Sequence, residues 1–270
     1  MKHKRNTGVI ILVASLLFVV IFMDLWMVFS QTRQQTKESG SYQLGMISGE
    51  LEATVKNAEN LTMEIAIAAR EYTGSHEELA RFIKKKKKEV VEGETGAFNV
   101  FIAGKDFAII PDFDMPEDFV ATERVWYTGA VKNQGRTYVS PPYQDAMTGD
   151  ICYSVSVMMG DGDTVRGIDY TMENIQSHIT QMYDTGSHNA VIVTDEGIIA
   201  GCSEEGLIGK KLVGVLPDYA GIWSLAKNTK GVATARIKAD LLYENLIASR
   251  SGNGWYLIVS ESEWELYKSS

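Results

Sequence analysis

Residues 8–29 constrain this chain more than any other stretch. From Val9 to Met23 every side chain is apolar except Ser15, Asp24 interrupts, and Leu25 to Phe29 resumes the run. About 20 apolar residues suffice for a helix to cross a bilayer. Asp24 lies near the end of the run, where water and headgroups are close. Trp26 suits the interfacial aromatic belt, and Lys2, Lys4 and Arg5 predict a cytoplasmic N-terminus over residues 1–7. A cleaved signal peptide would share the charged start, but no small-x-small cleavage site precedes Gln31. The expectation is one uncleaved anchor over 8–29, with the body delivered outside the cytoplasm.

The body has a different composition. The chain holds 26 Lys and Arg against 35 Asp and Glu, a net charge of −9. Three basic residues and Asp24 leave residues 1–30 at +2, so the body carries −11. An acidic body without a broad basic face argues against nucleic acid as partner. Cys152 and Cys202 are too few for a disulfide-built scaffold and read as ordinary buried thiols.

Residues 30–92 read as a long stalk helix followed by a second helix. Leu44, Ile47, Leu51, Val55, Ala58, Leu61 and Ile65 follow spacings of three and four, an apolar stripe close to a coiled-coil seam. Such a stripe can pack on its own domain, on a second copy, or on both, and a homodimer through the stalk is expected. A turn at Thr73-Gly74-Ser75 ends this helix, and Ser75 with Glu78 predicts a capping box for the next. Five lysines, Lys84 to Lys88, point all round that helix and read as a solvated surface rather than a ligand patch.

Strand patterns follow, twice. Residues 93–183 read as a hairpin (Phe98–Ile102 and Phe107–Ile110), a short helix, three strands and a connecting helix from Met172 to Tyr183. Residues 184–265 repeat the plan with a hairpin around Asp195-Glu196-Gly197, a helix over Tyr219–Lys227, and three strands near 231–237, 244–249 and 255–260. Gly160-Asp161-Gly162-Asp163 reads as a tight turn rather than a calcium loop, since the later Glu is missing. The fold class is therefore α+β: an N-terminal transmembrane helix, a stalk helix and two tandem antiparallel-sheet modules of about 90 residues, each enough for a small core.

The first module concentrates the residues able to recognise a ligand. Arg124 presents a planar fork of donors that matches a carboxylate. Asp169 accepts only, as an ammonium group requires. Trp126 and Tyr127 offer apolar wall, and Tyr143 and Asp145 offer a hydroxyl and a second acceptor. Each also has a plainer reading: Arg124 as a surface partner of Glu123 or Glu173, Trp126 as core, Asp169 as a cap of the following helix.

The ordered set Arg124-Val125-Trp126-Tyr127, Pro142-Tyr143-Gln144-Asp145, Thr148-Gly149 and Gly167-Ile168-Asp169 resembles the ligand motif of the amino-acid-binding branch of double Cache sensors, PAS-like extracytoplasmic domains of bacterial receptors. The resemblance covers roughly residues 31–265. It implies that the membrane-distal module (93–183) holds the ligand, with the Arg on the carboxylate, aromatics as walls and the late Asp on the ammonium. The family commonly carries Tyr five positions before the Arg, where this chain has Phe119. The candidate binding set is Arg124, Trp126, Tyr127, Tyr143, Asp145 and Asp169, with Phe101 and Phe119. The membrane-proximal module (184–265) resembles the family at Gly206–Lys210 but shows no ligand motif.

The resemblance further implies the sensory part of a longer receptor in the bacterial cell membrane, of chemoreceptor, histidine kinase or cyclic-di-GMP enzyme type. No nucleotide loop, HExxH or Gly-x-Ser-x-Gly is present, and the four His are scattered, so neither catalysis nor a metal or cofactor is expected. Competing readings are a sensor of an amine or a carboxylate alone, and a ligand-free dimerising ectodomain.

Overall fold

The computed structural model describes residues 2–72, 75–93, 96–160, 162–184, 189–239 and 242–262. Helix α1 (Lys2–Arg70) is a single rod of 69 residues, roughly 100 Å long at 1.5 Å per residue. The apolar leader and the stripe are thus one helix, with no break near residue 30. Side chains within 8–29 are described from Leu12 to Val28, and the large apolar ones, such as Phe18 and Trp26 at 71% exposure, stand clear of the rest of the chain. Among the described residues no helix is long and apolar enough to cross a membrane. Residues 8–29 all lie within α1, but the side chains at 8–11 and 29 are outside those described.

The stripe is filled by the chain's own core. Leu44 and Leu51 are fully buried, Ile47, Val55, Ala58 and Ile65 nearly so, and Leu61 partly. Burying one such Leu contributes about 2 kcal/mol. The seam first offered for a homodimer is therefore occupied within one chain, and dimerisation through α1 would have to use another of its faces. Helix α2 (His76–Glu92) begins with the expected capping box: the Glu78 amide donates to Ser75 Oγ at 3.3 Å, and the Ser75 amide donates to Glu78 Oε2 at 2.8 Å. Thr73 and Gly74 lie outside the described residues.

The first sheet comprises β1 (Ala97–Ala103), β2 (Ala108–Ile109), β3 (Thr137–Val139), β4 (Tyr143–Gln144), β5 (Ile151–Met158) and β6 (Val165–Thr171). Its order is β2-β1-β6-β5-β3, with β4 also on β5, and every pairing is antiparallel. Helix α3 (Val125–Lys132) covers one face, α1 and α2 the other, and α4 (Glu173–Asp184) follows β6. The second sheet comprises β7 (Asn189–Val193), β8 (Ile199–Cys202), β9 (Val232–Ala239), β10 (Leu242–Arg250) and β11 (Tyr256–Ser262) in the order β8-β7-β11-β10-β9. Short α5 (Leu212–Val215) and α6 (Ala220–Lys227) lie between its hairpin and its last three strands. The predicted hairpin–helix–three-strand plan occurs twice with the same strand order; the added element is the two-residue β4.

Polar contacts fix which module sits where along α1. Glu52 accepts from the amide of Gly252 in the β10–β11 turn. Further along the helix, the Ala58 carbonyl accepts from Tyr170, and Glu59 accepts from Thr137 at 2.8 Å. The second sheet is thus nearer the apolar leader and the first sheet is farther from it.

Strand alternation divides the first sheet into two chemistries. Val100, Ile102, Tyr153, Val155, Ile168 and Tyr170 face the core shared with α1. Their neighbours Asn99, Phe101, Ser154, Ser156, Gly167 and Asp169 face α3. Asn99 and Ser154 both register against Asp169, so three polar side chains form one row across three strands. Phe101 and Ser156 both register against Gly167, where a Cβ would strike the Phe101 ring.

Cys152 and Cys202 are buried free thiols in different sheets. Gly160 and Gly162 adopt positive φ (75° and 114°), as the tight-turn reading requires, and Asp163 pairs with Lys105 at 2.6 Å; Asp161 lies outside the described residues. The lysine run is not wholly a solvated surface. Lys85, Lys86 and Lys88 pair along the helix with Glu89 and Glu92, whereas Lys84 and Lys87 reach across to Asp112 at 2.6 and 3.2 Å.

Candidate functional site

Seven of the eight sequence-predicted residues line one cavity between the first sheet and α3: Phe101, Phe119, Arg124, Trp126, Tyr143, Asp145 and Asp169. Tyr127 does not line it. Adjacent helix positions point about 100° apart, so Trp126 turns to the cavity while Tyr127 joins the core and donates its hydroxyl to the Asp163 carbonyl at 2.7 Å. Tyr127, expected as pocket wall, is thus not among the residues lining this cavity.

The floor is the polar row. Asp169 is 4% exposed. Its Oδ1 accepts from Ser154 Oγ at 2.7 Å and from the Tyr143 hydroxyl at 3.1 Å; its Oδ2 accepts from Asn99 Nδ2 at 3.2 Å. Asp169 therefore spends its oxygens on the cavity floor and does not cap α4. Burial raises its pKa to about 6, with a smaller push from Asp145, although the bonds from Ser154, Tyr143 and Asn99 oppose the rise. Burial also pushes the Tyr143 hydroxyl far up, so it remains a donor. Asn99, 2% exposed, keeps its Oδ1 without a hydrogen-bond partner on the protein. Because its Nδ2 is committed to Asp169, that oxygen is an unused acceptor beside the carboxylate.

Arg124 stands opposite, at the N-cap of α3, half-buried. Its guanidinium lies 5.8 Å from the Phe119 ring centroid and 5.6 Å from that of Tyr143, and Nη2 donates to the Gln144 carbonyl at 3.3 Å. It pairs with neither Glu123 nor Glu173. The two rings present the fork to the cavity, with donors beyond the single one used on Gln144. Trp126 packs against Phe101 at a 45° tilt with centroids 4.3 Å apart, and Ser156 Oγ donates to the Trp126 carbonyl, which anchors α3 on the sheet.

Asp145 has a different role from the expected one. Its Oδ1 accepts the Met147 and Thr148 amides at 3.0 and 2.8 Å, so it shapes the loop that brings Ala146 and Met147 to the cavity. Other wall residues escaped the sequence reading: Asn99, Ile110 and Phe113, with Ser154 behind them. Two carried a visible signal. Asn99 interrupts an apolar strand, and Ser154 and Ser156 alternate within another. Phe113 packs edge-on against Phe119 at 5.3 Å. Its loop is tied down by Lys84 and Lys87, through Asp112 and, for Lys87, the Pro111 carbonyl at 3.0 Å.

The sequence matches the Cache domain family over residues 27–270. Among curated proteins it is 34% identical over 95 residues to the methyl-accepting chemotaxis protein TlpA of Bacillus subtilis, covering 34% of this chain and 14% of that protein. It is 28% identical over 100 residues to McpA of the same organism, covering 37% and 15%. The chain thus matches only about a seventh of the length of these relatives. Among solved structures, it resembles the ligand-binding domain of the Pseudomonas aeruginosa PAO1 amino acid chemoreceptor PctB in complex with L-Arg, with TM-score 0.69, 18% identity, and 87% and 98% of the two chains covered. The ligand-binding domain of the Pseudomonas fluorescens chemoreceptor CtaA in complex with L-isoleucine gives 0.68 at 16% identity, covering 89% and 98%. At these identities the likeness establishes a shared fold.

The raised pKa of Asp169 has a stability consequence. The folded state holds this proton more tightly than the unfolded chain, so the contribution is complete below the ordinary value of 3.8 and is lost as pH rises through about 6. Relative to Asp169→Asn, the wild-type protein should lose about 2 kcal/mol between pH 4 and pH 7. Urea unfolding of both proteins across that range measures the difference; parallel profiles would show that Asp169 ionises normally.

Proposed function

The chain belongs to the Cache domain family, and we propose that it is the extracytoplasmic ligand-sensing region of a bacterial transmembrane chemoreceptor that binds a free α-amino acid in its membrane-distal module. One observation carries this reading: a guanidinium and a buried carboxylate with an unused amide oxygen line the same cavity. The ligand carboxylate takes the Arg124 fork. The ammonium takes Asp169 Oδ2 and Asn99 Oδ1, which supply acceptors where the protein leaves one unfilled. A ligand lacking either charge leaves a buried or half-buried partner unmatched, which disfavours an amine or a carboxylate alone. The amino acid complexes of PctB and CtaA support the same ligand class, and the methyl-accepting relatives support a chemotaxis output.

The remaining walls define the side chain accepted. Phe101, Ile110, Phe113, Phe119, Ala146 and Met147 are apolar, and the only charged lining residues are Arg124, Asp145 and Asp169. An uncharged, mainly apolar side chain fits these surroundings. The cavity as it stands is about 20 Å³, room for one water, so a ligand enters by parting its walls. The wall best placed to move is the loop carrying Phe113, held by pairs from the exposed Lys84 and the half-buried Lys87 to the exposed Asp112, which water screens.

The apolar run 8–29 supplies the anchor in this reading, and the order of contacts along α1 supports the second module as the one nearer the membrane. Deleting residues 8–29 should move the chain from the membrane fraction to the soluble fraction of expressing cells; retention in the membrane would place the anchor elsewhere.

Arg124→Ala and Asp169→Ala should each weaken amino-acid binding at least about 100-fold, since each strands one ligand charge. Tyr127→Phe should leave affinity unchanged, because that hydroxyl serves the 160s turn. Calorimetry on folded variants decides; wild-type affinity in Asp169→Ala would remove the ammonium site from this cavity.

A further inference from the structure

The opposite face of the first sheet holds a second cavity, of about 380 Å³, between α1, α4 and the end of α2 at Gly93. It is separated from the Asp169 cavity by the sheet itself, because Tyr153 and Tyr170 alternate with Ser154 and Asp169 along the same strands. Its volume falls at the lower end of ordinary small-ligand sites.

Two buried polar atoms here have no hydrogen-bond partner. Tyr153 is fully buried, stacked on Tyr170 with centroids 5.3 Å apart, and its hydroxyl is unpaired. His178 is 7% exposed, with Nε2 3.0 Å from Thr54 Oγ1; its Nδ1 makes no hydrogen bond, and the nearest carboxylate, that of Glu50, is 3.5 Å away. A buried polar atom without a partner is costly, about 1–3 kcal/mol, and both Tyr153 and His178 line this cavity, where a ligand can supply what the protein does not.

The lining also states the ligand's charge. Thr54, Asn57, Asn174, Ser177 and His178 ring the cavity, with Ala58 and Leu61 as its apolar part, and among the described residues no Lys, Arg, Asp or Glu lines it. Burial lowers the His178 pKa, so the ring is neutral and offers no cation. A charged ligand would be desolvated without a counter-charge. Hydroxyl and amide groups that both donate and accept match ligand groups of the same kind.

We propose that this cleft is a second binding site, selective for a small uncharged polyol. Such a ligand bridges Thr54 and Asn57 on α1 to Ser177 and His178 on α4, and so clamps the stalk helix to the segment that joins the two modules.

The test uses the full chain in nanodiscs, in glycerol-free buffer, titrated with glycerol, D-ribose and D-glucose, with sodium acetate and methylammonium chloride as charged probes. At least one of the three polyols should bind and neither charged probe should. Tyr153→Phe, which removes only the unpaired hydroxyl, and Ala58→Leu, which fills the space, should each weaken that binding at least about tenfold, a loss of 1.4 kcal/mol or more. Asp169→Ala should leave it unchanged, which keeps this site distinct from the amino-acid cavity. Absence of binding by all three polyols, equal binding of a charged probe, or binding undiminished in both cavity variants would overturn the proposal.

Discussion

The rest of the structure depends on the burial of one helical stripe. Leu44, Leu51, Val55, Ala58 and Ile65 are packed into a core that contains Val100, Tyr153 and Ile168 from the first sheet together with Ile247, Leu257 and Val259 from the second. Each module is about 90 residues, a size at which one sheet with a few short helices buries a modest core. Both lean on the same rod, and that rod continues into the apolar leader. The stripe is therefore structural first. Any displacement of α1 must be repaid by repacking against two sheets at once, which favours small shifts of the whole helix over local bending. A ligand moves it only through unequal affinity for two such arrangements.

Alternation along the strands gives this scaffold a face able to hold a polar ligand. The face of the first sheet that meets α1 is apolar and tightly filled, whereas the face that meets α3 carries Asn99, Ser154 and Asp169 in one row. A buried carboxylate without a paired cation is expensive, and Asp169 bears part of that expense as a raised pKa and part through three hydrogen bonds. In the proposed complex an ammonium group would supply the missing charge. The aromatic brackets Phe119 and Tyr143 hold Arg124 away from Asp169, so the protein does not neutralise its own site before a ligand arrives.

Much of this was legible in the sequence, for identifiable reasons. Glycine-rich turns separate the strands and made the repeated plan visible. The Ser75 and Glu78 spacing announced a helix start. Arg124 and Asp169 lie where periodicity and motif order put them. The continuity of α1 was not legible, because the change of composition after Phe29 marks a change of surroundings, from leader to body, and not a change of backbone. Tyr127 was misplaced because a motif gives order along the chain, while a helix turns successive side chains away from each other. Asp145 lies within a Pro-Tyr-x-Asp motif, yet its loop consumes one carboxylate oxygen. The clamp of Lys84 and Lys87 on Asp112 depends on a loop returning to α2, which no local pattern encodes.

In the proposed complex the cavity of the first module recognises both charges of one small zwitterion, and this double recognition is open to a direct test. It is tested most directly by calorimetric titration of the chain with L-alanine, L-leucine and L-isoleucine, each beside its methyl ester, which lacks the carboxylate, and its des-amino acid, which lacks the ammonium. At least one parent amino acid should bind, and both of its analogues should be weaker by at least about 100-fold, or close to 3 kcal/mol. Equal affinity for either analogue, or no binding by any of the parent amino acids, would contradict it.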